Sequence, residues 1–413
     1  LTSHVLEATN PRDPDDSSVR AQRLADLRTA ESEALNTYQL VNPKTGDERI
    51  PIQAAMTYTA VKGESSSAQI PPPIPPEPFT SNPKVLTDLK DTPKIRTVLE
   101  KAIADLFGTS PLALKVPPIE GAFDAQRLHE GATLYTRYCA NCHGTTGNGA
   151  GPTGVYYNPA PRNFQTGKFK FVSTSSGGKP TRSDLHRTIR KGLANAMPAF
   201  GNLMTADQIG KVIDYTTFLS VRGETELALL NDAALLDEAA VDVSKPADAF
   251  ETKPADVAKK IHDRWTAVDG LVFNPSSPPR SATLASVARG KALYLDTKVG
   301  CTGCHGPHGL GNGPSFIEKS IYDRVVTGKK TPEQAIREEY AALKKGPTPP
   351  KEDEAAYTQA KLTLWGQSLD DWGNPLRPAN LTEGVYKGGA EPIELYYRLA
   401  GGINGAKMPS HFP

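Results

Sequence analysis

All four cysteines of the 413-residue chain fall in two copies of one pattern, Cys139-Ala-Asn-Cys142-His143 and Cys301-Thr-Gly-Cys304-His305. Two thiols on one helical turn can reach the two vinyl groups of a haem as thioethers, and the adjacent histidine then lies under the iron as proximal ligand. The implied chemistry is two covalently bound haem c groups. Zinc is the competing reading of paired cysteines, but zinc ribbons space their pairs roughly 15 to 20 residues apart, and here 158 residues separate Cys142 from Cys301. A thioredoxin-like pair would need a βαβ setting that neither neighbourhood shows. A disulfide within either motif would constrain very little chain.

The surroundings of the two motifs are duplicated. Gly144, Gly147, Gly149, Gly151 and Pro152 match Gly306, Gly309, Gly311, Gly313 and Pro314 at a constant offset of 162. Before each motif a helical stretch carries the same marks: Gly131, Leu134 and Tyr135 in one, Gly290, Leu293 and Tyr294 in the other. Downstream, Asn163 mirrors Asn380, and "DLHRTIRKGLANAMPAF" mirrors "ELYYRLAGGINGAKMPSHF", pairing Leu185 with Leu395, Gly192 with Gly402 and Met197 with Met408. Two of only four methionines thus open a Met-Pro pair at matching places.

Each half resembles a class I cytochrome c domain, an all-α fold around one haem; the resemblance covers roughly residues 121–221 and 282–413. It implies that Met197 and Met408 are the sixth ligands opposite His143 and His305. It also implies that Pro152 and Pro314 supply the carbonyls that orient those histidines, bonds that fix imidazole rotation and donor strength. Met204 is the runner-up for the first haem, although it precedes a capping box (Thr205, Gln208) and reads as core; Met56 reads as structural. His411 rivals Met408 for the second haem. The remaining histidines have no counterpart in the other half. His/Met ligation raises the potential and leaves no open position at iron, which suits outer-sphere electron transfer. The expected function is therefore an electron carrier or the electron-transfer subunit of a respiratory or photosynthetic complex rather than a catalyst, with a di-haem peroxidase-type enzyme as the alternative.

Those sites need elements to hold them. The expected fold is mainly α: two class I cytochrome c domains in tandem with an extended, loop-rich N-terminal region. The domains are read as an N-terminal extension over 1–120, cytochrome c domain 1 over 121–225, a linker with one helix over 226–280, and cytochrome c domain 2 over 281–413. The spacing from Asn163 to Asn380 is 217 against 162 at the haem motifs, so about 55 residues are inserted in the second domain, at about 318–373. A helix is expected there at 331–345, and 354–365 is a second inserted segment. In the first domain Ile209, Val212, Ile213 and Thr216 form one stripe of a helix that, by the resemblance, packs across the helix before CxxCH. The second domain has no such helix after Met408, and the insertion is the favoured substitute, ahead of a partner or the N-terminal arm. In that arm, 19–35 is helical in pattern, 38–52 reads as strand, turn and strand, and 70–78 as polyproline II. "GDERIPIQAAM" is similar to a segment near the N-termini of subunits in bacterial periplasmic respiratory assemblies.

Composition excludes several classes. Net charge is +1, with 38% hydrophobic and 23% charged residues. No dense basic run marks a nucleic-acid binder, and no apolar run is long enough for a membrane span. Leu1 opens a polar, acidic stretch rather than a signal peptide, so the chain reads as the mature form of a periplasmic or otherwise exported protein, membrane-associated through partners. Residues 121–225 hold twelve Lys/Arg against six Asp/Glu. Lys168, Lys170, Arg182, Arg187, Arg190 and Lys191 lie on the approach to Met197, a solvated face, partners for the haem propionates or a docking surface for an acidic redox partner.

Overall fold

A computed structural model describes residues 77–413 apart from 155, 156, 158, 195, 277–281, 329 and 412–413, together with the backbone of a short hairpin nearer the N-terminus. There β1 (Gln39–Asn42) pairs antiparallel with β2 (Asp47–Arg49), the two strands expected in that stretch. The helical pattern at 19–35, Met56 and the proline run up to residue 76 lie outside the described residues. The chain divides into units 1–72 and 73–413.

The second unit is helical. Its first half is organised by α6 (Ala206–Ala233), which starts at a Thr205–Gln208 capping box and runs 28 residues without a break. A helix buried along most of its length needs apolar side chains on more than one stripe. Ile209, Val212, Ile213 and Thr216 point inward as expected, and Tyr215, Phe218, Leu219 and Val221 join them. Against α6 pack α3 (Ala125–Tyr138), α2 (Pro93–Phe107), α1 (Pro83–Asp88), α5 (Arg182–Lys191) and α7 (Pro254–Thr266).

Two domain boundaries read from the sequence move as a result. Residues 83–107 are not an extension, because Val98, Leu99, Ile103 and Phe107 are fully buried in the first core. The break at 225/226 falls inside α6, and Phe250, Ile261 and Trp265 fold back onto the same core. The physical cause is length: α6 outlasts α3 by several turns and exposes apolar surface that α2 and α7 cover.

The second half repeats the plan more sparsely, with α8 (Leu284–Leu295), a one-turn helix α9 (Cys301–His305) matching α4 (Ala140–His143), and α13 (Pro392–Gly401) matching α5. The insertion supplies α10 (Lys319–Val326), α11 (Pro332–Lys344) and α12 (Glu354–Gln367). Thr331 caps α11 and Pro332 stands in its first turn, as the sequence indicates.

The insertion does not cover α8. Ile317, Ile321, Ala335, Ile336 and Trp365 form a cluster of their own, and α8 packs chiefly on α9. Leu284 is 92% exposed, and Val287 and Leu293 are both more than half exposed. Apolar faces of α10, α11 and α12 satisfy one another, which leaves no stripe to turn towards α8.

Candidate functional site

Each Cys-x-x-Cys-His segment forms one helical turn followed by a glycine-rich loop folded back onto it. In the first domain Gly149 N donates to His143 O at 2.8 Å, Gly151 N to Cys142 O at 3.1 Å and Thr153 N to Asn141 O at 3.0 Å. In the second, Gly311 N meets His305 O at 2.9 Å, Gly313 N meets Cys304 O at 3.0 Å and Ser315 N meets Gly303 O at 2.9 Å. Such a loop needs left-handed backbone. Gly147 and Gly149 have φ of 71° and 78°, and Gly309 and Gly311 have 73° and 69°. The shared glycines are thus turn chemistry, common to both sites.

The tyrosines that mark both preceding helices close the loops. Tyr135 Oη donates to Gly144 O at 2.9 Å, and Tyr294 Oη to Gly306 O at 2.7 Å. Tyr135 is almost wholly buried, stacked edge-on against Tyr215 of α6.

The histidine acceptors differ from those implied by the resemblance. His143 Nδ1 lies 3.1 Å from Arg162 O and His305 Nδ1 3.1 Å from Ala379 O, so the acceptors are not the carbonyls of Pro152 and Pro314. The cause is visible in the loop bonds: Gly151 N and Thr153 N hold the segment around Pro152 over Cys142 and Asn141, while the returning segment is pinned by Phe164 N to Gly147 O at 2.6 Å. Leu381 N to Gly309 O at 2.7 Å does the same in the second domain. Arg162 and Ala379 each precede the repeated Asn163 or Asn380, so the duplicated register carried the signal. With Nδ1 donating to a carbonyl, Nε2 is the nitrogen free to bind iron.

His143 stacks on Phe164 with centroids 4.6 Å apart. Burial holds its pKa below the ordinary range, which favours the neutral, metal-binding form. Burial, then the neighbouring Cys142, pushes the Cys139 thiol up to about 12. None of the four cysteines is in a disulfide.

The two Met-Pro segments occupy equivalent tight loops. Leu193 N donates to Met197 O at 2.8 Å, and Ile403 N to Met408 O at 3.1 Å. Gly192 and Gly402, with φ of 69° and 71°, let these loops close: a Cβ would meet Met197 O at 2.5 Å in one and Met408 O at 2.7 Å in the other. Met197 is half-buried against the core that holds Cys139, Phe164 and Ile189. Met408 is half-buried and lines a cavity of about 390 Å³ with Lys168, Asp371 and Asn404. Met204 is buried core. His411 is exposed, its N–H donating to Leu399 O at 2.9 Å.

The cysteines and histidine fit haem c in both domains: two unpaired thiols and an imidazole on one turn, the imidazole pre-oriented through Nδ1. Among the described residues no group of three or more His, Cys, Asp or Glu could hold a bare metal ion. No helix among them is long and apolar enough to cross a membrane.

The basic residues leading to Met197 meet acids of the same chain. Lys168 pairs with Asp371 at 2.7 Å and Lys170 with Asp370 at 3.0 Å. Lys191 pairs with Glu391 at 2.8 Å and Glu394 at 3.1 Å. Arg187 lies between Asp184 and Glu394, and Arg182 pairs with Asp214. Of the six, only Arg190 has no ion pair among the described residues. The acidic surface that sequence reading sought in a separate partner is, for most of this face, the second domain.

Residues 126–215 match the family model described as cytochrome c oxidase, cbb3-type, subunit III, and residues 287–371 match the cytochrome c model. None of the curated proteins matches. Among solved structures, the Kuenenia stuttgartiensis reducing HAO-like protein complex Kustc0457/Kustc0458 is similar at 26% identity, over 68% of this chain and 86% of that one, with a TM-score of 0.41.

Proposed function

From the premise that this chain is a di-haem c-type cytochrome, two cytochrome c domains in tandem with two covalently bound haem c groups, we propose that it is a periplasmic electron-transfer subunit whose irons are both six-coordinate. Electron transfer follows from the cytochrome c domains themselves. The observation that carries the finer reading is the repetition of the whole ligand frame. Both domains offer a histidine held through Nδ1 by a backbone carbonyl, and both offer a Met-Pro loop closed on a left-handed glycine.

In this reading Cys139, Cys142, Cys301 and Cys304 anchor the two groups as thioethers. His143 and His305 are the proximal ligands, and Met197 and Met408 the sixth. Haem c so bound supplies a one-electron couple at iron. The protein's part is to fix the imidazoles, hold the thioethers in place and keep water from the metal. The chain then passes single electrons between redox partners without binding a substrate.

Export is supported by the chemistry of attachment, which joins reduced thiols to haem on the outer side of the membrane. A place in a larger assembly, with membrane association through partners, is supported by the apolar side chains of α8 that stand in solvent among the described residues. The test is redox titration of the purified holoprotein with carbon monoxide and cyanide as probes. Two one-electron steps and slow probe binding are expected; fast binding at either iron would instead mark a peroxidase-type enzyme. Fractionation of native cells, with the protein found among exported and membrane-complex fractions, tests the location.

A further inference from the structure

The two histidine acceptors are equivalent in position but not in kind. Ala379 has no side chain beyond its methyl group, whereas Arg162 reaches out of its own domain: its guanidinium centre lies 3.4 Å over the ring of Trp372. Trp372 belongs to the second domain, is half-buried and has partners in both domains. Its backbone N–H donates to Asp370 Oδ1 at 3.0 Å and its Nε1 to Thr166 Oγ1 at 3.4 Å. Lys170 Nζ stands 5.5 Å from the ring centroid. The outer ring edge presses on Gly405, where a Cβ would lie 2.2 Å from the nearest ring carbon, within the loop that leads to Met408. One aromatic ring therefore touches both the residue that orients His143 and the loop that carries Met408.

We propose that Trp372 is a positioning residue for the first haem's proximal histidine, acting from the other domain through Arg162. A carbonyl accepting from Nδ1 sets imidazole rotation and donor strength, and its place depends on the backbone torsions of Arg162. Clamping the Arg162 side chain against Trp372 restricts those torsions. The first haem's ligand field then depends on the second domain being docked, while the second haem's histidine is oriented by Ala379, whose side chain ends at its methyl group. Burial lowers the Arg162 pKa to about 10, with Asp370 opposing the shift, so the guanidinium in the stack is desolvated yet charged at neutral pH.

The inference rests on His143 being the proximal ligand, and the experiment separates the two. In the holoprotein, Trp372→Ala, Trp372→Phe, Arg162→Ala, the double alanine variant and His143→Ala are compared by redox titration resolved for each haem and by electron paramagnetic resonance of the ferric state. A weakened bond to Nδ1 makes the imidazole a poorer donor and raises the potential. Trp372→Ala and Arg162→Ala should each raise that of the first haem and alter its ferric signal, in the range of a tenfold change in its reduced-to-oxidised ratio at fixed poise, about 59 mV for one electron. The double variant should go no further than either single one, and Trp372→Phe should keep most of the wild-type value. Because Trp372→Ala also opens space beside Gly405, Arg162→Ala is decisive: if it leaves the first haem's potential and signal unchanged, the proposal falls while ligation stands. Additive shifts in the double variant also overturn it. A first-haem signal unchanged in His143→Ala would overturn ligation and proposal together.

Discussion

Gly131 on α3 lets the carbonyl of Lys211 on α6 pass so close that a Cβ would sit 2.2 Å from its oxygen. The two helices thus cross in backbone contact, flanked by Arg127–Asp214 at 2.9 Å and by Lys211 between Glu130 and Asp207. The equivalent Gly290 on α8 meets nothing within 4 Å. Gly131→Ala should therefore destabilise the first domain by about 1–3 kcal/mol through overpacking. Gly290→Ala should be neutral or stabilising by up to about 1 kcal/mol, because alanine is the better helix former. Thermal melting followed at each haem checks both. A Gly290→Ala penalty as large as that of Gly131→Ala would show that something beyond the described residues crosses α8.

Legibility in the sequence followed the range of the interactions. The haem motifs, the loop glycines and the caps at Thr205 and Thr331 are local, set by spacing and by residues that favour one backbone conformation, and the duplication exposed them twice over. The helix stripe from Ile209 to Thr216 was legible for the same reason. Long-range choices were not. Nothing local to 93–107 says that α2 packs on α6, and nothing in Lys170 says that its partner is Asp370, 200 residues away. The histidine acceptors are an intermediate case: Arg162 and Ala379 stood in the aligned repeat, but choosing them over the prolines needed the fold of the glycine loop.

The junction between the domains is the next place to test. Lys170 and Asp370 form its least exposed ion pair, with side chains 13% and 0% exposed. Lys170→Gln strands a buried carboxylate, which retains the Trp372 and Asn374 N–H donors. The expected cost is about 2–3 kcal/mol, at or below the lower end for a broken buried pair. Lys168→Gln, at a half-exposed pair, should cost less than about 1 kcal/mol. Denaturant unfolding followed at each haem reads both costs, and equal penalties would refute the ranking by burial.

The sixth ligands can be read by spectroscopy. Met197→Ala and Met408→Ala should each abolish one methionine-to-ferric-iron charge-transfer band, lower that haem's potential and admit cyanide or carbon monoxide. His411→Ala should leave the second haem unchanged, because that residue is exposed and its backbone is tied to α13. A spectrum altered by His411→Ala but not by Met408→Ala would make the second haem bis-histidine.

His262 gives the first domain a pH dependence. It is buried beside Phe123, with ring centroids 5.2 Å apart, and burial lowers its pKa from 6.5 against the smaller pull of Asp263, with Lys259 adding to the lowering. A depressed pKa means that the folded state binds fewer protons than the unfolded chain wherever the pH lies near or below 6.5. The stability it contributes is therefore complete above that pH, and it declines as the pH falls towards the folded-state value. His143 is lowered for the same reason, but once bound to iron it no longer titrates, so in the holoprotein His262 is the histidine of that domain whose lowering remains. Melting of the first domain between pH 7.5 and about 5 should lose stability on acidification in wild type and lose less in His262→Gln. An identical acid slope in the variant would assign the effect to another group.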